Sequence, residues 1–124
     1  MNLNTLFKIN VFVSGLFGLG FVLAPEATLA PYGLSQEIID GSVMIARWFG
    51  GANIGYAILS WMMSNSQDSD AKTNVAKAYS IGFGISFLIS IQNQLSGEIN
   101  SLGWSTVIIF AVFSIAFGKF AFKK

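Results

Sequence analysis

One residue in this chain joins a chemically capable side chain to a place where it is expensive. Arg47 is the one charge in an apolar stretch running from about Ser42 to Met63. A cation at the centre of a membrane helix costs ~2.5–3.5 kcal/mol on insertion scales, so it needs acceptors. Arg47 lies about a turn from the start of that stretch, close enough for its guanidinium to reach outward. Gln92, Asn93 and Gln94 close the next apolar stretch at the same expected depth, and Asp40, Glu98 and Asn100 fall near the same surface. The expectation is a polar cluster in which Arg47 is held by the amide oxygens of Gln92 or Asn93 and by Glu98 or Asp40. Such a cluster has two uses. It would pin one helix to another, or it would bind a lipid phosphate, a carboxylate or an inorganic anion, groups that a guanidinium fork suits.

Other chemistry is thin. With no Cys and no His, disulfides, zinc sites and imidazole acid–base catalysis are excluded, and no cofactor or metal is expected. No acidic residue lies inside any apolar stretch, which argues against a proton-coupled antiporter. No nucleophile–base pair can be assembled there either, so a stand-alone enzyme is not expected and no catalytic residue is nominated. Asn53, about 120° around a helix from Arg47, would serve a separate interhelical hydrogen bond. The glycines of GLFGLGF (residues 15–21) lie within an apolar run with no strand before them, so they are not a nucleotide loop.

The elements that must position these residues follow from composition. Apolar residues are 53% of the 124, charged residues 10%, and twelve are Phe. Soluble domains carry about 25% charged residues. Seven Lys+Arg against six Asp+Glu leave no basic patch for nucleic acid. Four runs reach the ~20 residues a bilayer-spanning helix needs: Leu6 to Ala24, Ser42 to Met63, Val75 to Leu95 and Leu102 to Phe122. The expected fold is all-α, one domain over residues 1–124, a four-transmembrane-helix bundle. Pro25 to Asp40, the hydrophilic Ser64 to Asn74, and Ser96 to Ser101 are the expected connectors. Cleavage of the first run as a signal peptide after Thr28-Leu29-Ala30 is the alternative. The run exceeds the ~7–15 residues of a signal core, and Pro31 follows the site.

Lipid tails compete for apolar side chains, so close approach through small residues must hold such a bundle. Each run offers a row: Asn10, Ser14 and Gly18; Gly51 and Gly55, continuing from Arg47; Gly82, Ser86 and Ser90, with Ser80 and Gly84 on the adjacent row; Ser114 and Gly118. Packing is the expected role, cavity lining the alternative, and Gly51→Leu or Gly82→Leu is expected to cripple assembly either way. If one row faces lipid instead, it reads as a docking face.

Lys8, Lys72, Lys77, Lys119, Lys123 and Lys124 fall at alternate ends of the runs, whereas the first and third connectors carry Glu26, Glu37, Asp40 and Glu98 and no Lys or Arg. The positive-inside bias then puts both chain ends in the cytoplasm, with Trp61 and Tyr79 as inner and Trp48 and Trp104 as outer aromatic anchors.

Pro25-Glu26, Tyr32-Gly33-Leu34 and Ala46-Arg47 before Gly50-Gly51-Ala52-Asn53-Ile54-Gly55 together resemble the DoxX-like superfamily of small four-helix membrane proteins, closest to an uncharacterised bacterial family. The resemblance implies a four-helix bundle with a shared arginine in its second helix, in a bacterial-type cytoplasmic membrane. Some members are subunits of membrane oxidoreductases working with quinones or sulfur compounds; here any redox chemistry would come from a partner. The expected function is a non-catalytic accessory or structural membrane subunit, in contact with the bilayer and with other membrane subunits or itself. The alternative is an oligomeric transporter or channel for a small anion, which requires a water-filled cavity reaching Arg47.

Overall fold

The computed structural model describes residues 1–123, whose regular secondary structure is all helical, with no strand among them. Lys124, the end of the basic tail, lies outside the described residues. Helix α1 spans Leu3–Leu23 and starts where the Asn2 side chain accepts from the Thr5 amide at 2.9 Å. It stops before Pro25, which has no amide to continue it and instead opens the short helix α2, Pro25–Leu29. A single 3-10 turn, Ala30–Tyr32, follows, and Gly33 at φ 74° turns the chain out of it.

Helix α3 spans Gln36–Asn65, capped by Ser35, and α4 spans Ser69–Leu95, capped by Asp68. Helix α5 spans Gly103–Ala121 after a turn through Gly97 at φ 83°. Two of the expected connectors are therefore largely helical. The hydrophilic stretch from Ser64 shrinks to Ser66–Asp68, because polar Ser69 to Asn74 continue a helix capped by Asp68. Polarity marks where a helix leaves lipid, not where it ends. At 1.5 Å per residue α3 is about 45 Å long and α4 about 40 Å, well beyond the ~30 Å of a hydrocarbon core.

Three helices are long and apolar enough to cross a membrane: α1, α4 and α5. Such helices are those of a membrane protein. Four were expected. Helix α3 falls short of that measure because Arg47, Asn53 and four glycines dilute its apolar residues. Large apolar side chains point outward on all four long helices, among them Leu16, Trp48, Leu88 and Ile115.

The four long helices are joined as two tight pairs, α1 with α3 and α4 with α5. In the first pair, α1 buries Phe7, Asn10, Ser14, Gly18 and Phe21, and α3 buries Ala46, Gly50, Ala57, Ser60 and Ser64. Gly18 and Gly50 mark the closest approach: a Cβ on Gly18 would lie 2.9 Å from the Gly50 carbonyl oxygen, and one on Gly50 would lie 2.8 Å from that of Gly18. In the second pair, the Ser80 hydroxyl donates to the Ser114 carbonyl at 2.9 Å and the Ser114 hydroxyl to the Ser80 carbonyl at 2.8 Å. Gly84 and Gly118 flank this exchange, each leaving room for the opposite serine.

Gly51, Gly55 and Gly82 are not packing positions within this chain: all three are exposed, and a Cβ on any of them would meet nothing within 4 Å. The row on Gly51 lies one residue, about 100° of helix, from the contacting face, and of the two adjacent rows expected on α4 the one with Ser80 and Gly84 makes the contact. Gly50 rather than Gly51 meets α1, and Ser80 with Gly84 rather than Gly82 with Ser86 meets α5. Gly50→Leu is thus expected to lower the stability of the purified chain by about 1–3 kcal/mol or more through overpacking. Gly51→Leu, one position on, should leave it unchanged. Thermal melting in mild detergent compares the two.

Candidate functional site

The two pairs meet at both ends and part in the middle. At the end holding residues 3–10 and 113–121, the junction is an aromatic core. Phe7 of α1 packs against Phe117 of α5 with ring centroids 5.4 Å apart, and Tyr79 of α4 packs edge-on against Phe117 at 5.1 Å. Phe113, Ala76 and Leu6 complete it. Tyr79, expected as an interfacial anchor, is 8% exposed and central to this core.

A chain of hydrogen bonds runs through the same junction. The Ser14 hydroxyl donates to Asn10 Oδ1 at 3.1 Å, Asn10 Nδ2 donates to Ser60 Oγ at 2.8 Å, the Ser60 hydroxyl donates to Tyr79 Oη at 3.0 Å, and the Tyr79 hydroxyl donates to the Tyr56 carbonyl at 3.0 Å. Asn10 and Ser60 are fully buried. Among the described residues every buried side-chain nitrogen and oxygen has a partner. The relay therefore ties α1, α3 and α4 together without stranding a polar atom in an apolar interior.

At the opposite end Asn100 clasps the two halves. Its amide donates to the Tyr32 carbonyl and its Nδ2 to the Pro31 carbonyl, both at 2.9 Å. The Tyr32 and Thr106 hydroxyls lie 3.2 Å apart. Gly33 makes room for the clasp, since a Cβ there would sit 2.8 Å from Asn100 Nδ2. Gln94, buried, shapes the same loop by donating to the carbonyl of Asn100 at 2.9 Å.

Between the two junctions lies a cavity of about 220 Å³. Its walls are mostly aromatic and aliphatic, with Phe17, Phe49, Phe83 and Phe110 from the four long helices. Asn10 and Ser14 line its deep end, while Tyr32, Asn93, Gln94 and Thr106 line the end near the clasp. No lining residue carries a charge.

The expected polar cluster around Arg47 does not form. Arg47 is exposed and makes no hydrogen bond or ion pair among the described residues, and Gln92, Asn93 and Glu98 are exposed as well. Asp40 instead accepts from Gln36 Nε2 at 2.8 Å on its own helix. The reason is rotational. Ala46 and Gly50 turn toward α1, so Arg47 turns away from the bundle together with Gly51 and Gly55. Gln94 rather than its neighbours is the amide that turns inward. Of the nominated residues, Gly18 and Gly118 lie in the pair contacts, Asn93 lines the cavity, Ser86 is half-buried, and Arg47, Gly51, Gly55 and Gly82 face outward. Ser60, Tyr79 and the Asn100 clasp were missed. Ser60 has a sequence signal, since it falls ten residues after Gly50 on the face that also bears Ala46 and Ala57, but the signal is visible only once that face is known.

A family described as a domain of unknown function, DUF8292, matches residues 8–122, and the chain belongs to it. No curated protein and no solved structure shows a significant match.

Tyr79→Phe keeps the ring in the aromatic core and removes both hydrogen bonds of its hydroxyl. At ~0.6–2 kcal/mol per interhelical hydrogen bond, it should lower stability by about 1–3 kcal/mol. Reversible unfolding in a mixed detergent titration reads the loss, and an unchanged midpoint would mean that the relay contributes nothing.

Proposed function

We propose that this chain is a non-catalytic accessory or structural subunit of a membrane assembly, crossing a bacterial-type cytoplasmic membrane four times through α1, α3, α4 and α5. The alternation of basic and acidic connectors supports placing both chain ends in the cytoplasm. The resemblance of Ala46-Arg47 and the glycines after it to DoxX-like proteins is in keeping with the same four-pass architecture.

One observation carries the accessory reading: Arg47, Gly51 and Gly55 share the outward face of α3, Arg47 makes no hydrogen bond or ion pair among the described residues, and a Cβ on either glycine would meet nothing within 4 Å. Facing lipid, a guanidinium costs free energy and glycines contribute little packing. Facing another membrane helix, the same residues let two backbones approach closely and give the guanidinium an acceptor. Trp48 and Met44, both exposed, border this face and would add contact area. The partner is thus a membrane helix that offers a carboxylate or amide opposite Arg47. The anion-transporter alternative needs that guanidinium on a polar path, and it does not line the cavity.

The chain purified from its native membrane in mild detergent is expected to bring down a defined membrane protein in fixed ratio. Arg47→Gln and Gly51→Leu should each weaken that association by about tenfold or more, the equivalent of ~1.4 kcal/mol. Their melting temperatures when isolated should equal that of the parent chain. Full retention of the partner by both variants would remove the assignment to this face, and a chain that stays solitary in gentle extraction would remove the subunit reading.

A further inference from the structure

We propose that the cavity between the two helix pairs holds an acyl chain of a membrane lipid, which enters sideways between α3 and α4 and leaves its ester region at Asn53 and Asn93. This does not depend on any partner at the outward face of α3, which lies on another side of that helix.

The shape of the space selects the ligand. At about 220 Å³ it exceeds the ~150 Å³ of an apolar cavity that stays dry and admits benzene. It falls below the ~300–1,000 Å³ of sites for drug-sized molecules and cofactors, so a slender occupant fits and a bulky ring system does not. The walls select hydrocarbon. Val13, Phe17, Phe83, Ile109 and Phe110 offer a water molecule no hydrogen bond, and an empty space would cost these side chains their dispersion contacts.

The way in is lateral. Helices α3 and α4 touch where Tyr79 reaches Tyr56 and Ser60, and beyond that point they separate. Phe49 and Asn53 on one side of the gap, and Ser90 and Asn93 on the other, line the cavity. They are also reachable from outside: Phe49 is 46% exposed, Asn53 and Ser90 are half-buried, and Asn93 is exposed. The proposal rests here on the four-pass reading above, in which an opening in this position faces acyl chains rather than water.

The mouth also carries free hydrogen-bonding capacity. Asn53 Nδ2 donates to the Phe49 carbonyl at 3.0 Å, and among the described residues neither Asn53 Oδ1 nor the Asn93 side chain makes a hydrogen bond. These amides match ester carbonyls and hydroxyls. With no charge on the lining, they do not select a phosphate.

The test places the protein in vesicles of phosphatidylglycerol doped with phosphatidylglycerol that bears a diazirine at the end of one acyl chain. After illumination, adducts are mapped on peptides. Adducts are expected on Val13, Phe83 or Phe113, deep in the cavity, as well as on outward residues such as Leu16 and Ile115. Ser90→Phe at the mouth and Val13→Phe in the body should each reduce labelling of Phe83 and Phe113 by about tenfold while the outward labelling stays constant, a loss equivalent to one decade in occupancy. Circular dichroism confirms that each variant is folded, and Ser90→Phe, which touches only the mouth, carries the test if Val13→Phe does not fold. Labelling confined to outward residues, or deep labelling unchanged when the mouth is filled, would overturn the proposal.

Discussion

The buried relay from Ser14 through Asn10 and Ser60 to Tyr79 is the interaction on which the arrangement of the helices depends. Within each pair, small residues bring backbones together and packing follows from geometry alone. Between the pairs there is no such device, and contacts between α1 and α5 or α3 and α4 are sparse. In an apolar surround, hydrophobic burial gives one orientation of the pairs little advantage over another. Directed hydrogen bonds do. Asn10 can satisfy its amide only with α3 in register, and Tyr79 reaches Ser60 only when the α4–α5 pair sits against both.

Fixing the pairs at two ends makes the cavity a consequence. The aromatic core and the relay close one end, the Asn100 clasp closes the other, and the side chains between are too few to fill the gap. Small residues concentrate where pairs are tight, at Gly18, Gly50, Gly84 and Gly118, while the facing surfaces of the two pairs carry Phe. Phe83 and Phe113, neighbours within the α4–α5 pair with ring centroids 5.2 Å apart, stack on one another and leave space beside them.

Much of the fold was legible in the sequence, and most of the site was not, for one physical reason. Helix existence depends on local composition and on breakers such as Pro25, Gly33 and Gly97, so all four long helices could be placed. Contact depends on rotation, and in a helix that is apolar all round nothing local sets the rotation. The rows containing Gly18, Ser114 and Gly118 fell on the contacting faces. Those built on Gly51 and Gly82 missed by one or two residues, because GGANIG and SIGFG offer several small-residue spacings at once. Arg47 was misplaced with Gly51. Its expected partners lay inside the bundle because Arg47 shares a face with Gly51 and Gly55, the row expected to pack. The relay was hidden because it joins residues 50 and 19 positions apart, and no spacing rule links them.

Helix α3 shows why composition understated one of the four long helices. At about 100° per residue its surface divides into three sectors. Ala46, Gly50 and Ala57 meet α1 and must be small. Phe49 and Asn53 border the cavity and pair a ring with an amide. Arg47, Gly51 and Gly55 face outward on a third sector. The small and polar residues of these sectors leave the helix as a whole less apolar than α1 or α5, although Met44, Ile58 and Met62 are exposed on it as well. A helix that only anchored the chain in lipid would have no need of such a sequence. The low apolarity of α3 thus has a local cause in each sector, and the sector whose glycines meet nothing in this chain is the one that bears the arginine.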